Sequence, residues 1–282
     1  IIPRKAEGPC RIFAPVWAMI DSHSQRRMPT GIEAENSVKK HTALLSMLVF
    51  CNSALFAAGE APHWGYDEEE GPDRWGQLAD DFSLCSDGKN QSPIDLVAYV
   101  EAELPRLDFQ YNNPGRLIEI NTGHAIQDNV MPGNNLVVLG KKFELQQFHF
   151  HSPSEHTVAG EYYPMEVHLV HQNEHGELLV VGLMFEEGEH NEVMNELPSF
   201  RAERGEGPLE EPFDYNELVE GQDDYFLYNG SLTTPPCSEG VQWVVMKQPI
   251  IASKEQIQHY HDLLGFDNNR PIQPHKARII LD

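Results

Sequence analysis

Basic residues are scarce in this chain of 282: 20 lysines and arginines stand against 44 aspartates and glutamates, a formal charge of −24 at neutral pH. A surface so biased excludes nucleic acid and anionic membranes as partners, because both are bound through lysine and arginine. It fits a self-repelling protein at home in salt that screens the repulsion. Long apolar runs are equally scarce. The one candidate, Thr42–Ala58, has 17 residues and carries Asn52 and Ser53 inside it, which is marginal for a bilayer span of about 20. No internal repeat and no low-complexity tract occurs. What is present is enough apolar material for a core, 40% against 23% charged, in a length that allows one large domain or two ordinary ones.

Lys39 and Lys40 precede the apolar run, and Ala57, Ala58 and Ala61 follow or close it. That is the layout of a secretory signal peptide, the alternatives being a buried core helix or an uncleaved anchor. Residues 1–38 mix Pro, Arg and Ser without a sustained period and read as an over-extended start, with Met28 the candidate true one. Residues 1–58 are therefore set aside as not part of the fold. Residues 59–282 are expected to form the working domain, exported to a periplasm or secreted, with no stable membrane anchor after processing. Seven basic and four acidic residues fall before residue 59, which leaves 13 and 40 and a charge near −27. Two of the four cysteines remain, Cys85 and Cys237. In an oxidising compartment they predict one disulfide, against the bland alternative of two buried thiols.

From about Glu60 onward, short apolar runs alternate with Gly, Pro and Asn. The runs are Arg116–Asn121, Asn135–Val138, Phe143–His151, Met165–Gln172, Glu177–Phe185 and Val241–Ile250. Turn signals such as Asn113-Pro114-Gly115 and Pro132-Gly133-Asn134 lie between them, a pattern that predicts one mostly-β domain. Helix is expected only over Asn191–Leu197 and over Lys254–Leu264, the latter opening after Ser253 as N-cap. The stretch Arg201–Asp224 is acidic and broken by Pro and Gly, and reads as a surface excursion.

Fourteen histidines are many for this length, and their placement carries the chemistry. In KKFELQQFHFHSPSEH, residues 141–156, strand alternation places Phe143, Leu145, Gln147, His149 and His151 on one face. Two histidines at i and i+2 have Cα atoms roughly 6.5–7 Å apart, which lets both imidazoles reach one ion. MEVHLVHQ, residues 165–172, carries Glu166, His168 and Val170 on one face. Paired beside the first strand, it would supply His168 as a third nitrogen. Three neutral nitrogens leave one tetrahedral position open, the catalytic arrangement for zinc. Gln147 and Glu166, each two residues before a histidine, could accept the other ring N–H and fix its orientation. His171, His175, His190 and His259 are expected to be ordinary polar residues. On spacing alone the His-x-His pair followed by Glu155 also fits a cupin metalloenzyme, in which Glu is a ligand, as the runner-up reading, although a second cupin motif is missing.

The segments Gln147–His151, Ser154-Glu155-His156-Thr157 and Glu166–Val170 resemble the metal-binding core of the α-class carbonic anhydrases. Tyr228–Cys237 (YNGSLTTPPC), His63-Trp64-Gly65-Tyr66, Asn90-Gln91-Ser92-Pro93-Ile94, Asn121-Thr122-Gly123-His124-Ala125, Val241-Gln242-Trp243 and Asn268-Asn269-Arg270-Pro271 resemble that family too. The resemblance runs in order from about residue 63 to 280, and is to the bacterial, exported type.

It implies a central, mainly antiparallel twisted sheet of ten strands with a few short helices, and zinc at the base of a conical cleft on His149, His151 and His168. Zinc lowers the pKa of its water to about 7 in carbonic anhydrases, so that hydroxide attacks CO2 and bicarbonate leaves. Gln147, Glu166 and Asn268 are implied to stand behind the ligands. Thr233 is implied to accept a hydrogen bond from the nucleophile and to donate to Glu155. That makes Glu155 a partner of Thr233 and not a ligand, the opposite of the cupin claim. Thr234 is implied to contact bicarbonate. Val170, Val180, Leu232, Val241 and Trp243 match an apolar CO2 pocket, which plain core packing would also explain. His124 matches the proton shuttle, a task suited to histidine, with Tyr66, Thr122 and Gln127 ordering water. The family often has Asn at the last two positions, so that network is expected to differ here. Cys85 and Cys237 fall where bacterial members place their disulfide. The implied partners are CO2 and bicarbonate, with a homodimer left open and ester hydrolysis a side activity. A binding-only relative is the competing reading, against which all three histidines, Thr233 and Glu155 are present.

Overall fold

The computed structural model describes residues 62–115, 118–197, 207–208 and 212–282. The segment read as a signal peptide lies outside them, as do Cys10 and Cys51. Among the described residues no helix is long and apolar enough to cross a membrane.

Among the described residues, fourteen strands form. A small three-stranded sheet joins β1 (Asp95–Leu96), β7 (Thr157–Val158) and β8 (Glu161–Tyr162). The large sheet contains β2 (Asp108–Gln110), β3 (Ile118–Asn121), β4 (Ile126–Asn129), β5 (Asn135–Val138) and β6 (Lys141–His151). It continues through β9 (Met165–Gln172), β10 (Leu178–Glu187), β12 (Tyr225–Ser231), β13 (Glu239–Met246) and β14 (Ile250–Ala252). An eleventh piece, β11 (Gly207–Pro208), pairs at the edge beside β3. The main path runs β11-β3-β4-β6-β9-β10-β13-β12, with β5 beside β6, β2 beside β5 and β14 beside β10. Only β10–β13 and β10–β14 in this sheet are parallel, so it is mixed and mostly antiparallel, ten strands of three residues or more plus the edge piece. The apolar runs Asn135–Val138 and Met165–Gln172 became strands over just the residues their pattern predicts.

Two apolar clusters flank the sheet. The larger holds Phe143, Leu145, Phe148, Phe150, Val167, Leu169, Val181 and Val244. The smaller, on the cleft side, holds Val180, Tyr228, Val241 and Trp243 with Val170 and Leu232 packed against it. The helix Lys254–Leu264 opens on Ser253 in a reciprocal capping box with Gln256 and closes on Gly265 at φ +81, the left-handed stop that glycine adopts without strain.

Three expectations need correction. Phe143 and Leu145 do not share a face with the histidines. The pairing of β6 with β9 skips Gln146, matching Leu145 to His171 and Gln147 to Val170. One extra residue in a strand inverts the alternation beyond it, so Phe143 and Leu145 pack with Phe148 and Phe150 while Gln147, His149 and His151 face the cleft. Asn191–Leu197 forms a 3-10 turn, Val193–Glu196, and no α-helix. The Arg201–Asp224 stretch is not all surface. Phe213, Tyr215, Leu218 and Val219 are buried in the larger cluster, because apolar side chains in an acidic, broken segment still gain from burial.

Candidate metal centre

The centre is built by two neighbouring strands. His149 on β6 stands directly across from His168 on β9, and His151 follows His149 on the same face. Their ring centroids are 5.1, 5.4 and 4.5 Å apart. Hydrogen-bond accounting singles out one nitrogen in each ring. His149 Nδ1 donates to Gln147 Oε1 at 2.8 Å, His151 Nδ1 to the Asn268 carbonyl at 2.7 Å, and His168 Nε2 to Glu166 Oε1 at 2.9 Å. The other three nitrogens, Nε2, Nε2 and Nδ1, are thereby aimed at one another. His151 Nε2 is buried and has no hydrogen-bond partner, a costly state for a polar atom unless something else binds it. Three imidazole nitrogens of this kind, close enough to hold one metal ion, fit a zinc-type donor set.

Burial pushes His149 and His151 below the usual histidine range, and the neighbouring histidines add to the effect at His149. Burial pulls His168 the same way, but the Glu166 carboxylate outweighs it and holds this ring above that range. Neutral rings are what a metal requires.

Behind the ligands lies a network that the motif reading missed. Glu166 accepts from His168 Nε2 and His156 Nδ1 on Oε1, and from the backbone N–H groups of Glu155 and His156 on Oε2. Burial alone would raise its pKa, yet His156 and His168 hold it well below the carboxylate range. Since Nδ1 of His156 donates, its Nε2 accepts from the Tyr228 hydroxyl at 2.6 Å, which in turn meets Ser92 Oγ at 2.9 Å. His156 sits beside Glu155 in the quoted motif, and its partners Glu166 and Tyr228 come from other strands.

Glu155 is fully buried. Its Oε1 accepts the Arg270 backbone N–H at 2.8 Å. Its Oε2 has no hydrogen-bond partner and lies 3.6 Å from His151 Nε2 and 3.8 Å from His168 Nδ1. The Arg270 guanidinium donates to Gln91, to the Ser92 carbonyl and to the Cys85 carbonyl. Burial lowers its pKa to about 10, with Glu155 opposing. Cys85 and Cys237 form a disulfide across 5.0 Å between Cα atoms. The Cys237 N–H donates to the Thr234 carbonyl at 2.9 Å, so the bridge ends at the threonine loop.

The cleft above the three histidines has a volume of about 240 Å³. Val170, Val180, Leu232 and Trp243, packed together in the smaller cluster, give it an apolar wall, and Tyr66, Thr122, His124, Gln127, Thr233 and Thr234 also line it. Val241 is buried behind that apolar wall and is not among the lining residues. The Thr122 hydroxyl is occupied within its own turn, donating to the Ala125 carbonyl at 3.0 Å, and the Gln127 amide donates to Asn129 at 2.7 Å. His124 is half-buried and stacks on Trp64 at 3.7 Å between centroids. Burial, and then His63, lowers its pKa.

A triad of imidazoles at the foot of an open, half-apolar cleft, carried on a curled mixed sheet, defines a candidate metalloenzyme that keeps room for a small substrate beside the ion. Residues 70–282 match the family model of the eukaryotic-type carbonic anhydrases, and the chain belongs to that family. It is 42% identical over 248 residues to a carbonic anhydrase of Pectobacterium carotovorum, covering 86% of this chain and all of the relative. A Neisseria gonorrhoeae carbonic anhydrase is 39% identical over 242 residues, 84% and 94% of the two chains. Among solved structures, the α-carbonic anhydrase of Thermovibrio ammonificans with the inhibitor sulfanilamide superimposes with a TM-score of 0.74 at 41% identity, covering 79% of this chain and all of that one. Dioscorin complexed with ascorbate shares the fold at a TM-score of 0.68 and 29% identity, covering 78% and 97%. The chain is thus an enzyme of the carbonic anhydrase class, and its family supports CO2 and bicarbonate as its small-molecule substrates.

Proposed function

We propose that this protein catalyses the reversible hydration of CO2 with a zinc ion held by His149, His151 and His168, and returns the proton through His124. The observation that carries the reading is the convergence of three ring nitrogens, each left free because the other nitrogen of its ring is committed elsewhere. Zinc so held would bring the pKa of a bound water near 7 and supply hydroxide at neutral pH.

The chain's own residues do the rest. Gln147, Glu166 and the Asn268 carbonyl fix the tautomer and tilt of the ligands. Glu155, ionised, can only accept, so Thr233 donates to it and keeps a lone pair for the nucleophile. Thr234 holds bicarbonate. Val170, Val180, Leu232 and Trp243 offer CO2 an apolar wall, since the molecule has little to gain from polar ones. Val241 supports that wall from behind. His124 takes up the released proton, with Tyr66, Thr122 and Gln127 lining the same cleft. The disulfide supports an oxidising, exported setting, periplasmic or secreted.

Stopped-flow CO2 hydration, before and after chelation, tests the proposal. Hydration should vanish with the metal and return with zinc. A folded, zinc-loaded protein without hydration above background would leave a binding role in its place.

A further inference from the structure

Arg270 is buried, and its guanidinium is spent on neutral oxygens. Nη1 donates to Gln91 Oε1 at 2.9 Å and to the Ser92 carbonyl at 2.8 Å, and Nη2 donates to the Cys85 carbonyl at 2.9 Å. A buried cation is costly to hold, and only a planar fork with several fixed N–H directions serves three such acceptors at once. The residues it grips hold both feet of the threonine loop. Gln91 Nε2 donates to the Cys237 carbonyl at 3.0 Å. Ser92 and Ser231 exchange bonds, each backbone N–H donating to the hydroxyl oxygen of the other, at 2.9 and 3.1 Å. Thr233 and Thr234 lie between Ser231 and Cys237. On its other side, the Arg270 backbone N–H holds Glu155 Oε1 at 2.8 Å. One residue thus grips the carboxylate with its backbone and the footing of the threonine loop with its side chain.

We propose that Arg270 is a positioning residue for the hydrogen bond from Thr233 to Glu155, fixing donor and acceptor relative to one another. The proposal rests on the reading in which Thr233 donates to Glu155 during CO2 hydration. Arg270 touches neither substrate nor ion. It acts through Glu155 on one side and through Gln91 and Ser92 on the other, and no proton passes through it. The charge of Glu155 sets the direction of the bond, and Arg270 sets its geometry. Hydrogen bonds weaken steeply when bent or stretched, and a displacement of about 1 Å made away from the reacting atoms can cost about 10²-fold in rate. The disulfide braces the same two segments, because the fork holds the Cys85 carbonyl directly and the Cys237 carbonyl through Gln91.

The test is a double-mutant cycle read in kcat/KM for CO2 hydration by the zinc-loaded protein, with zinc affinity measured on every variant. Arg270→Lys keeps the charge and loses the fork. Its kcat/KM should fall about tenfold or more at parental zinc affinity, within the range a misplaced group costs. In the Glu155→Gln background the same substitution should change kcat/KM by less than about twofold, because the bond it positions is already inverted. Gln91→Met cuts the arm to Cys237 at nearly constant volume and leaves Arg270 its other partners. It should show the same pattern with a smaller loss, and it decides the question where Arg270→Lys does not fold. Equal losses in the two backgrounds overturn the proposal, since a residue that only stiffens the fold acts whether or not Glu155 is intact. Parental kcat/KM in the single variants overturns it too, as does a loss matched by lost zinc affinity. A zinc-loaded parent without hydration defeats the functional reading, and Glu155→Gln at parental kcat/KM defeats the role of Glu155. Either result removes the bond that Arg270 is to position.

Discussion

Gly182 on β10 lies directly across from His168, and a Cβ built on it would come within 2.8 Å of Glu166 Oε1. The carboxylate that orients His168 occupies the space a side chain would fill. A glycine inside an apolar strand, in LLVVGLMF, marks such a close approach. Gly182→Ala is expected to displace Glu166, untether His168 and weaken zinc binding by about 10- to 100-fold, the usual cost of disturbing a partner behind a metal ligand. Competition against a chelator reads this directly. Parental zinc affinity in the variant would show that Glu166 yields without consequence.

His171 supplies a second prediction. It is buried in the larger core, its Nδ1 donating to the Leu169 carbonyl and its Nε2 accepting from Tyr111 at 2.6 Å. Burial pushes its pKa down to about 4. The unfolded chain, with an ordinary histidine near 6.5, binds a proton over the interval in which the folded chain does not. Stability is therefore complete above about pH 6.5 and falls as pH drops toward 4, by about 3 kcal/mol from this group. His171→Gln keeps an acceptor for Tyr111 and does not titrate. In urea unfolding of the metal-free protein, its stability should fall less than the parent's between pH 7 and 4.5. Parallel curves would refute the assignment.

How much of this was legible beforehand depends on whether a residue carried its own signal. His149 and His151 did in their i,i+2 spacing, which on its own also fitted a cupin site, His168 did through the alternation of a second strand-like run, and Gln147 and Glu166 were readable from the same alternation. Cys85 and Cys237 were readable as a pair because nothing else within residues 59–282 could partner them. The side on which Phe143 and Leu145 pack was not readable. The bulge at Gln146 is a property of pairing with β9, and no residue in β6 announces it. His156 and Arg270 were hidden for a related reason. Their partners, Tyr228 for one and Gln91, Ser92 and Cys85 for the other, are distant in sequence, and only the closed sheet brings them together.

The disulfide should matter to activity as well as to stability. It closes a loop spanning 152 positions, for which chain entropy gives about 5 kcal/mol. It also ends beside the Thr233–Thr234 loop, and the Arg270 guanidinium that contacts the Cys85 carbonyl belongs to the residue whose backbone N–H binds Glu155. Reduction is expected to lower the melting temperature and also kcat/KM well below that temperature. Full activity of the reduced protein at 25 °C would confine the bridge to a structural role.

Glu155 offers the sharpest test of the site's hydrogen-bond polarity. One carboxylate oxygen is committed to the Arg270 N–H, and the other is buried without a hydrogen-bond partner beside His151 and His168. If that oxygen must accept from Thr233, replacing it by an N–H donor inverts the direction of the bond. Thr233 would then have to accept, and its lone pair would no longer orient the nucleophile. Glu155→Gln can keep the Arg270 contact through its amide oxygen and has nearly the same volume, so fold and zinc content should survive. Its kcat/KM is expected to fall about 10²-fold or more, the scale of removing one properly oriented group in the transition state. Zinc content distinguishes the alternatives. A variant that loses its metal would mark Glu155 as a ligand, as the cupin geometry requires, whereas a zinc-replete, slow variant is what a role in orienting Thr233 demands.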